Sequence, residues 1–195
     1  MKLIYGIFLV FYLDSSLLDK DDGLVIVYTG RGKGKTTAAL GMALRATGYN
    51  YKVCMIQFIK GSWHYGEMTS SKRLEPEFEL MAAGKGFVGI LDDNTPKETH
   101  QKIAQQAIEI SKEKILSAKY DLVILDEINY AINLGLINLE SALELIKIRP
   151  QKLTLVLTGN HARQEIIDAA DLVTEMKEIK HPFQRGIRAK KGIDF

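Results

Sequence analysis

The sequence is poor in cysteine, tryptophan, proline and net charge. Its 195 residues include one cysteine, one tryptophan and four prolines. A single thiol excludes an intrachain disulfide and any Cys-based zinc site, and Cys54, inside the apolar run Val53 to Ile59, reads as a small core residue. Lys plus Arg number 26 against 24 Asp plus Glu, so there is no global field for nucleic acid, although Lys177, Lys180, Arg185, Arg188, Lys190 and Lys191 make the end of the chain locally basic. Long apolar runs are also scarce. Leu3 to Leu13 is mostly apolar behind one lysine, like the core of a signal peptide, yet no small-x-small cleavage pattern follows, Asp14 closes the run, and it is too short to span a bilayer. Residues 1–22 are therefore read as an N-terminal extension, no membrane partner is expected, and a cytoplasmic location is favoured over export. His64, His100, His161 and His181 show no metal-ligand spacing and are expected at the surface or in loops.

What is present suits one globular domain: 46% hydrophobic and 26% charged residues in a chain long enough to bury a core. The organising stretch is Leu24 to Thr37, where a continuous apolar run enters a glycine-rich turn and then a helical pattern through Ala38, Ala39, Leu40, Met42, Ala43 and Leu44. It reads as a phosphate-binding loop. Gly30, Gly32 and Gly34 let backbone N–H groups turn inward, Lys35 can reach phosphates, and Thr36 carries the hydroxyl that such loops place on Mg²⁺. The pattern G-x-x-x-x-G-K-[ST] calls for glycine where Thr29 stands.

Further on, Thr47-Gly48 is expected to end the first helix, and Val53 to Phe58 forms a second strand that delivers Gln57 and Lys60 at its tip. Residues 61–94 are irregular, with short apolar pieces at Trp63, Phe78 to Met81 and Phe87 to Leu91, and are read as a substrate-facing segment. Thr95, Pro96 and Glu98 form a helix start with Thr95 as N-cap. The strand Leu122 to Leu125 ends in Asp126 and Glu127, which with Thr36 suit the hydration shell of Mg²⁺ or the polarisation of a water. Asn138 caps a helix from Leu139 to about Ile148, Leu153 to Leu157 is a fourth strand with Thr158-Gly-Asn160 at its tip, a helix runs from Ala162 to Ala170, and Leu172 to Met176 is a fifth strand. This alternation predicts an α/β fold, a parallel sheet covered on both faces with the site at the C-terminal strand ends.

Several segments together resemble a known family: Thr29-Gly-Arg-Gly-Lys-Gly-Lys-Thr-Thr37, Gln57-Phe-Ile-Lys-Gly61, Asp121 to Glu127, Thr158-Gly159, Ala170 to Met176 and the tail Lys180 to Asp194. They are similar to the P-loop class of corrinoid adenosyltransferases, over residues 24–195, and the departure at Thr29 is itself a feature of that family. The resemblance implies a P-loop NTPase (RecA-like) domain over residues 23–195 that moves the 5′-deoxyadenosyl group of ATP to the cobalt(I) of a corrinoid and releases triphosphate. It implies ATP as co-substrate, held by Thr29, Gly30, Arg31, Gly32, Lys33, Gly34, Lys35, Thr36, Thr37, Gln57, Lys60 and Arg185, and lying reversed in the loop relative to most P-loop proteins. Mg²⁺ or Mn²⁺ is implied at Thr36, Asp126 and Glu127. Lys35, Thr36, Asp126, Glu127 and Phe87 would carry the reaction, a flavoprotein-type reductant and a homodimer are implied, and the basic tail becomes an active-site cover or subunit contact. Relatives typically read Gly-Phe-Thr-Trp where this chain has Gly86-Phe-Val-Gly89, so Phe87 matches and the tryptophan is replaced by Gly89. From the residues alone, a P-loop kinase and a nucleic-acid-dependent ATPase remain alternatives.

Overall fold

In the computed structural model, residues 22–59, 65–83 and 96–195 are described. Six strands pair in the order β3-β2-β4-β5-β1-β6, with β1 Val25–Thr29, β2 Val53–Gln57, β3 Phe78–Ala82, β4 Leu122–Asp126, β5 Thr154–Thr158 and β6 Leu172–Glu175. Every pairing is parallel. The helices are α1 Lys35–Thr47, α2 Gly66–Ser70, α3 Lys97–Leu116, α4 Ile128–Asn133, α5 Leu139–Lys147 and α6 Gln164–Asp168, with 3-10 turns at Ser71–Leu74 and Pro182–Arg185.

The central strands are apolar except at their ends, because both of their faces are covered. Alternate residues go to opposite sides. Ile26, Met55, Ile124 and Val156 pack with Ala39 and Ala43 of α1. Val27, Cys54, Ile56, Val123, Leu125, Leu155 and Leu157 pack with Ala104, Ala107, Ile108 and Ile115 of α3, Ile128 and Ala131 of α4, and Ala142 and Leu145 of α5. Cys54 is fully buried, as expected, and burial pushes its thiol up to about 12.

Four expectations change. Phe78–Ala82, read as part of an irregular segment, is a sheet strand beside β2; its Glu79, an unusual strand residue, is satisfied by Lys114 and Tyr120. The helix expected from Ala162 begins only at Gln164, because His161 takes a left-handed φ of 58°, its N–H is held by the Asn160 side chain, and Arg163 is extended. By contrast α1 ends at Thr47 with Gly48 as its C-cap, as expected; Gly48 is right-handed and Asn50 takes the left-handed turn. Pro96 occupies the N-cap of α3, while Thr95 lies outside the described residues. His100 is buried at 5% exposure in α3 rather than at the surface.

Candidate active site

Parallel pairing brings the C-terminal ends of all six strands to one edge, and the strand order decides which of them meet. β5 lies between β1, which leads into the glycine loop, and β4, which ends in Asp126. Thr158 at the tip of β5 is therefore placed to bridge the two, and Gln57 is in register with Asp126 across β2 and β4. The side chains use this placement fully. Asp126, with no exposed surface, accepts at Oδ1 from Thr36 Oγ1 at 2.9 Å and Thr158 Oγ1 at 2.7 Å, and at Oδ2 from Gln57 Nε2 at 3.2 Å. The Thr158 hydroxyl also accepts from the Glu127 N–H at 2.9 Å, so one threonine fixes both acids. Glu127 itself sits at φ 63°, a left-handed conformation that turns the chain from β4 into α4.

The loop from Gly30 to Gly34 is built on close approach. Gly30 has φ 94°, and a Cβ there would stand 2.5 Å from the Met176 carbonyl oxygen just beyond β6. Gly34 reaches φ 108° to start α1. Thr29 answers the departure from the glycine pattern: it is the buried last residue of β1, and its Oγ1 accepts from Ala162 N–H at 3.1 Å, pinning the loop's entry to the β5–α6 connection. Lys35 Nζ folds back to donate to the carbonyls of Gly30 and Gly32, each at 2.8 Å. Burial pushes its ammonium below the usual range, against the pull of the Glu127 and Asp126 carboxylates.

A cavity of about 580 Å³ opens on this edge, within the roughly 300–1,000 Å³ usual for small-molecule sites. The loop and first turns of α1 form one side, Gly66, Glu67 and Ser70 of α2 and Glu127 another, and Gly192 to Phe195 a third. Thr29, Gly30 and Arg31 line a second cleft of about 460 Å³ with Asn160, His161, Val173 and Glu175. Thr36 Oγ1 and Asp126 Oδ1 are hard oxygens in contact with one another, with Glu127 next in the chain. This donor set fits Mg²⁺ whose shell is completed by phosphate oxygens and water.

Of the residues singled out in the sequence, Lys33 to Thr37 and Glu127 line the main cavity, and Gln57 and Asp126 support it from beneath. Arg185 is on the exposed 3-10 turn and does not line that cavity. Lys60 and Phe87 lie outside the described residues. Thr158 was placed at a strand tip without a role, and Leu40 and Phe195 were not singled out; Glu67 and Ser70 fall in the segment read as substrate-facing, and Ile193 and Asp194 in the tail read as a cover or subunit contact.

A phosphate loop, a threonine-aspartate contact and an all-parallel sheet define a P-loop nucleotide-binding protein. The fold agrees with the crystal structure of the flagellar accessory protein FlaH from Methanocaldococcus jannaschii, at a TM-score of 0.52 over 80% of this chain and 71% of that one, with 14% identity. The chain belongs to the ATP:corrinoid adenosyltransferase BtuR/CobO/CobP family, a family of transferases, which matches residues 21–195. It is 36% identical over 173 residues to the corrinoid adenosyltransferase of Escherichia coli strain K12, covering 89% of this chain and 86% of that protein. It is 35% identical over 176 residues to the corrinoid adenosyltransferase CobA of Salmonella typhimurium, covering 90% and 87%.

Proposed function

We propose that this protein transfers the 5′-deoxyadenosyl group of ATP to the cobalt(I) of a corrinoid, with residues 23–195 as the catalytic unit and residues 1–22 as an extension. Family membership together with the Thr36–Asp126–Thr158 network below the phosphate loop supports this reading. Cobalt(I) attacks C5′ with its electron pair, the cobalt–carbon bond forms, the C5′–O bond breaks, and triphosphate leaves with the bonding pair. The nucleophile needs no base, so the chain's task is to align C5′ and neutralise the leaving group. Lys35 leaves its two loop carbonyls to meet phosphate oxygens, and the N–H groups of the loop and of the first turn of α1 add their dipoles. Asp126 is held by Gln57 and Thr158 so that its carboxylate and the Thr36 hydroxyl face the phosphates together. Mg²⁺ or Mn²⁺, when bound by Thr36 and Asp126 with Glu127 alongside, supplies further positive charge to the triphosphate. By resemblance, Lys60 and Arg185 join the nucleotide side and Phe87 shields the corrin. A flavoprotein-type reductant, a homodimer and a cytoplasmic setting complete the proposal; no helix among the described residues is long and apolar enough to cross a membrane.

The test is the identity of the products. With ATP, Mg²⁺ and chemically reduced cobalamin, phosphorus NMR should show intact triphosphate and the visible spectrum a new cobalt–carbon bond. Asp126→Asn should slow this about 10²-fold while leaving the circular dichroism unchanged. Stoichiometric ADP without adenosylated corrinoid would overturn the reading in favour of a kinase or ATPase.

A further inference from the structure

The sheet has two edges, and they are finished differently. β3 is guarded: Phe78 is buried, and Glu79 is held by Lys114 of α3 and by Tyr120. A charge on an edge strand discourages further pairing. β6, at the opposite edge, has no such guard. All four of its residues are exposed, Leu172 at 42% and Val173 at 39%, and Leu172-Val-Thr174 contains neither charge nor proline. In register with Ile26 and Val27 of β1, Leu172 and Val173 project to opposite faces of the sheet, so each face ends in an uncovered apolar side chain. The backbone is open as well. Asp171 N–H donates to the Val25 carbonyl at 2.8 Å, and since successive residues of a strand turn their N–H groups to opposite sides, those of Leu172 and Thr174 face away from β1. Among the described residues the sheet ends there. An uncharged, apolar, open edge of this kind is a template for one more strand.

We propose that the N-terminal run Leu3 to Leu13 of the same chain completes this edge, adding antiparallel to β6 as a seventh strand. The run lies outside the described residues, and three observations favour it over another occupant. The first is where the chain enters the fold. Gly23 N–H donates to the Gln151 carbonyl at 2.8 Å and Gln151 Nε2 to Asp22 Oδ2 at 3.1 Å, which fixes the chain at the foot of β1, and β6 is the neighbour of β1 on the side away from β5. A strand beyond β6 stands about 10 Å from β1, and the roughly eight residues from Asp14 to Asp21 reach about 26 Å when extended. The link therefore passes below β6 with chain to spare, and joining foot to foot makes the pairing antiparallel. The second is composition. Ile4, Tyr5, Ile7, Phe8, Val10 and Phe11 are the β-branched and aromatic types that strands prefer, and a run apolar at successive positions meets Leu172 on one face and Val173 on the other, which an alternating strand could not. The third is the tether. A segment of the same chain faces the edge at an effective concentration of about millimolar, whereas a second copy would pair β6 with β6 over only four residues a side.

Amide hydrogen exchange of the full chain, followed by NMR, reads the edge directly. The Leu172 and Thr174 N–H groups of the wild type are expected to exchange about tenfold or more slowly than those of the double variant Ile7→Pro/Val10→Pro. Its prolines stand three positions apart, so in any register one of them removes an N–H that faces β6. Val173, whose N–H faces β1, and the amides of β1 and β5 should keep their wild-type rates in that variant, which shows that the domain is folded. Thr174→Pro is the second arm and decides the matter if the double variant does not fold. Its N–H does not pair with β1, so the six strands remain while the added one loses an anchor, and chymotrypsin should then cut at Phe8 or Phe11 about tenfold faster than in the wild type. Equally fast exchange of Leu172 and Thr174 in the wild type and the double variant overturns the proposal, as does a rate of cutting that Thr174→Pro leaves unchanged. Slow exchange that the prolines do not relieve also overturns it, and if that protection grows with protein concentration, the edge belongs to a second copy of the chain instead.

Discussion

At the scale of single residues the site depends on hydrogen-bond donors aimed before any ligand arrives. Asp126 already has three side-chain donors, and none of them can be read from the local sequence around it: Thr36, Thr158 and Gln57 come from three other elements. The role of Thr36 was legible because Gly-Lys-Thr fixes it, and that of Asp126 because an apolar strand ending in acids pairs with such a loop. Thr158 was not, since a threonine at a strand tip has no meaning until the strand order places it between β1 and β4. Lys35 shows how a residue can be identified while its state is hidden. Burial holds its ammonium below 10.5. A bound triphosphate adds anionic charge and raises it again, so binding takes up protons in the window between the lowered value and 10.5. ATP affinity is then full at pH values below the pKa of the free protein and declines as the pH rises through it. Measured dissociation constants should weaken as pH is raised toward that upper limit, and Lys35→Arg, which does not titrate there, should flatten the profile. A wild-type profile as flat as that of the arginine variant would mean the lysine is fully charged throughout.

At the scale of elements the continuously apolar strands and the two longest helices were legible, because apolar runs and 3.6-residue periodicity are strong signals. β3 was hidden. Phe78 to Ala82 is no shorter than the other strands, but it sits on the sheet's edge and carries Glu79 at its second position. That charge is tolerated because Lys114 on the last turn of α3 donates to both Glu79 oxygens, at 2.9 and 3.0 Å, and the Tyr120 hydroxyl donates to one of them. The cluster fastens the edge strand to the helix that covers it. Burial pushes the Glu79 carboxyl upward, but hydrogen bonds from Tyr120 and Lys114 outweigh it, and the net direction is below 4.5. A carboxyl lowered on folding contributes stability above its unfolded value, and this is lost as pH falls through the folded one. Glu79→Gln should therefore lower the melting temperature at neutral pH by roughly 2–4 °C, for a half-exposed pair worth about 1 kcal/mol. Its deficit should shrink below pH 4.5. A deficit that persists unchanged in acid would assign the loss to packing rather than charge.

At the scale of the molecule, the two faces of the sheet are covered unequally: α1 with its neighbours serves one, and α3, α4 and α5 serve the other. Because α1 is both the cover of one face and the carrier of Lys35 and Thr36, the site and one half of the core share an element. Ligand binding is therefore expected to stabilise the whole domain. At ATP concentrations about 100 times the dissociation constant the gain is about 2.7 kcal/mol, which corresponds to a rise of roughly 5–10 °C in melting temperature. Lys35→Ala should melt near the wild type without ATP and lose most of the rise with it. An ATP-dependent rise of full size in that variant would place the nucleotide elsewhere, the cleft beside Arg31 and His161 being the next place to look.

The left-handed turn at Glu127 carries a conflict between durability and chemistry. A side chain at φ 63° costs the folded state on the order of 1 kcal/mol that glycine would not incur. Glu127→Gly should accordingly raise the melting temperature by about 1–3 °C, since relief of the turn is partly offset by the greater freedom of glycine when unfolded. The same change should cut adenosyl transfer at least tenfold. A lower melting temperature would show instead that the carboxylate's folded-state interactions outweigh the strained backbone. If the expected pattern holds, any search for hardier variants that selects on heat resistance alone will tend to discard the acid at this turn, and will arrive at a sturdier protein that no longer makes its product.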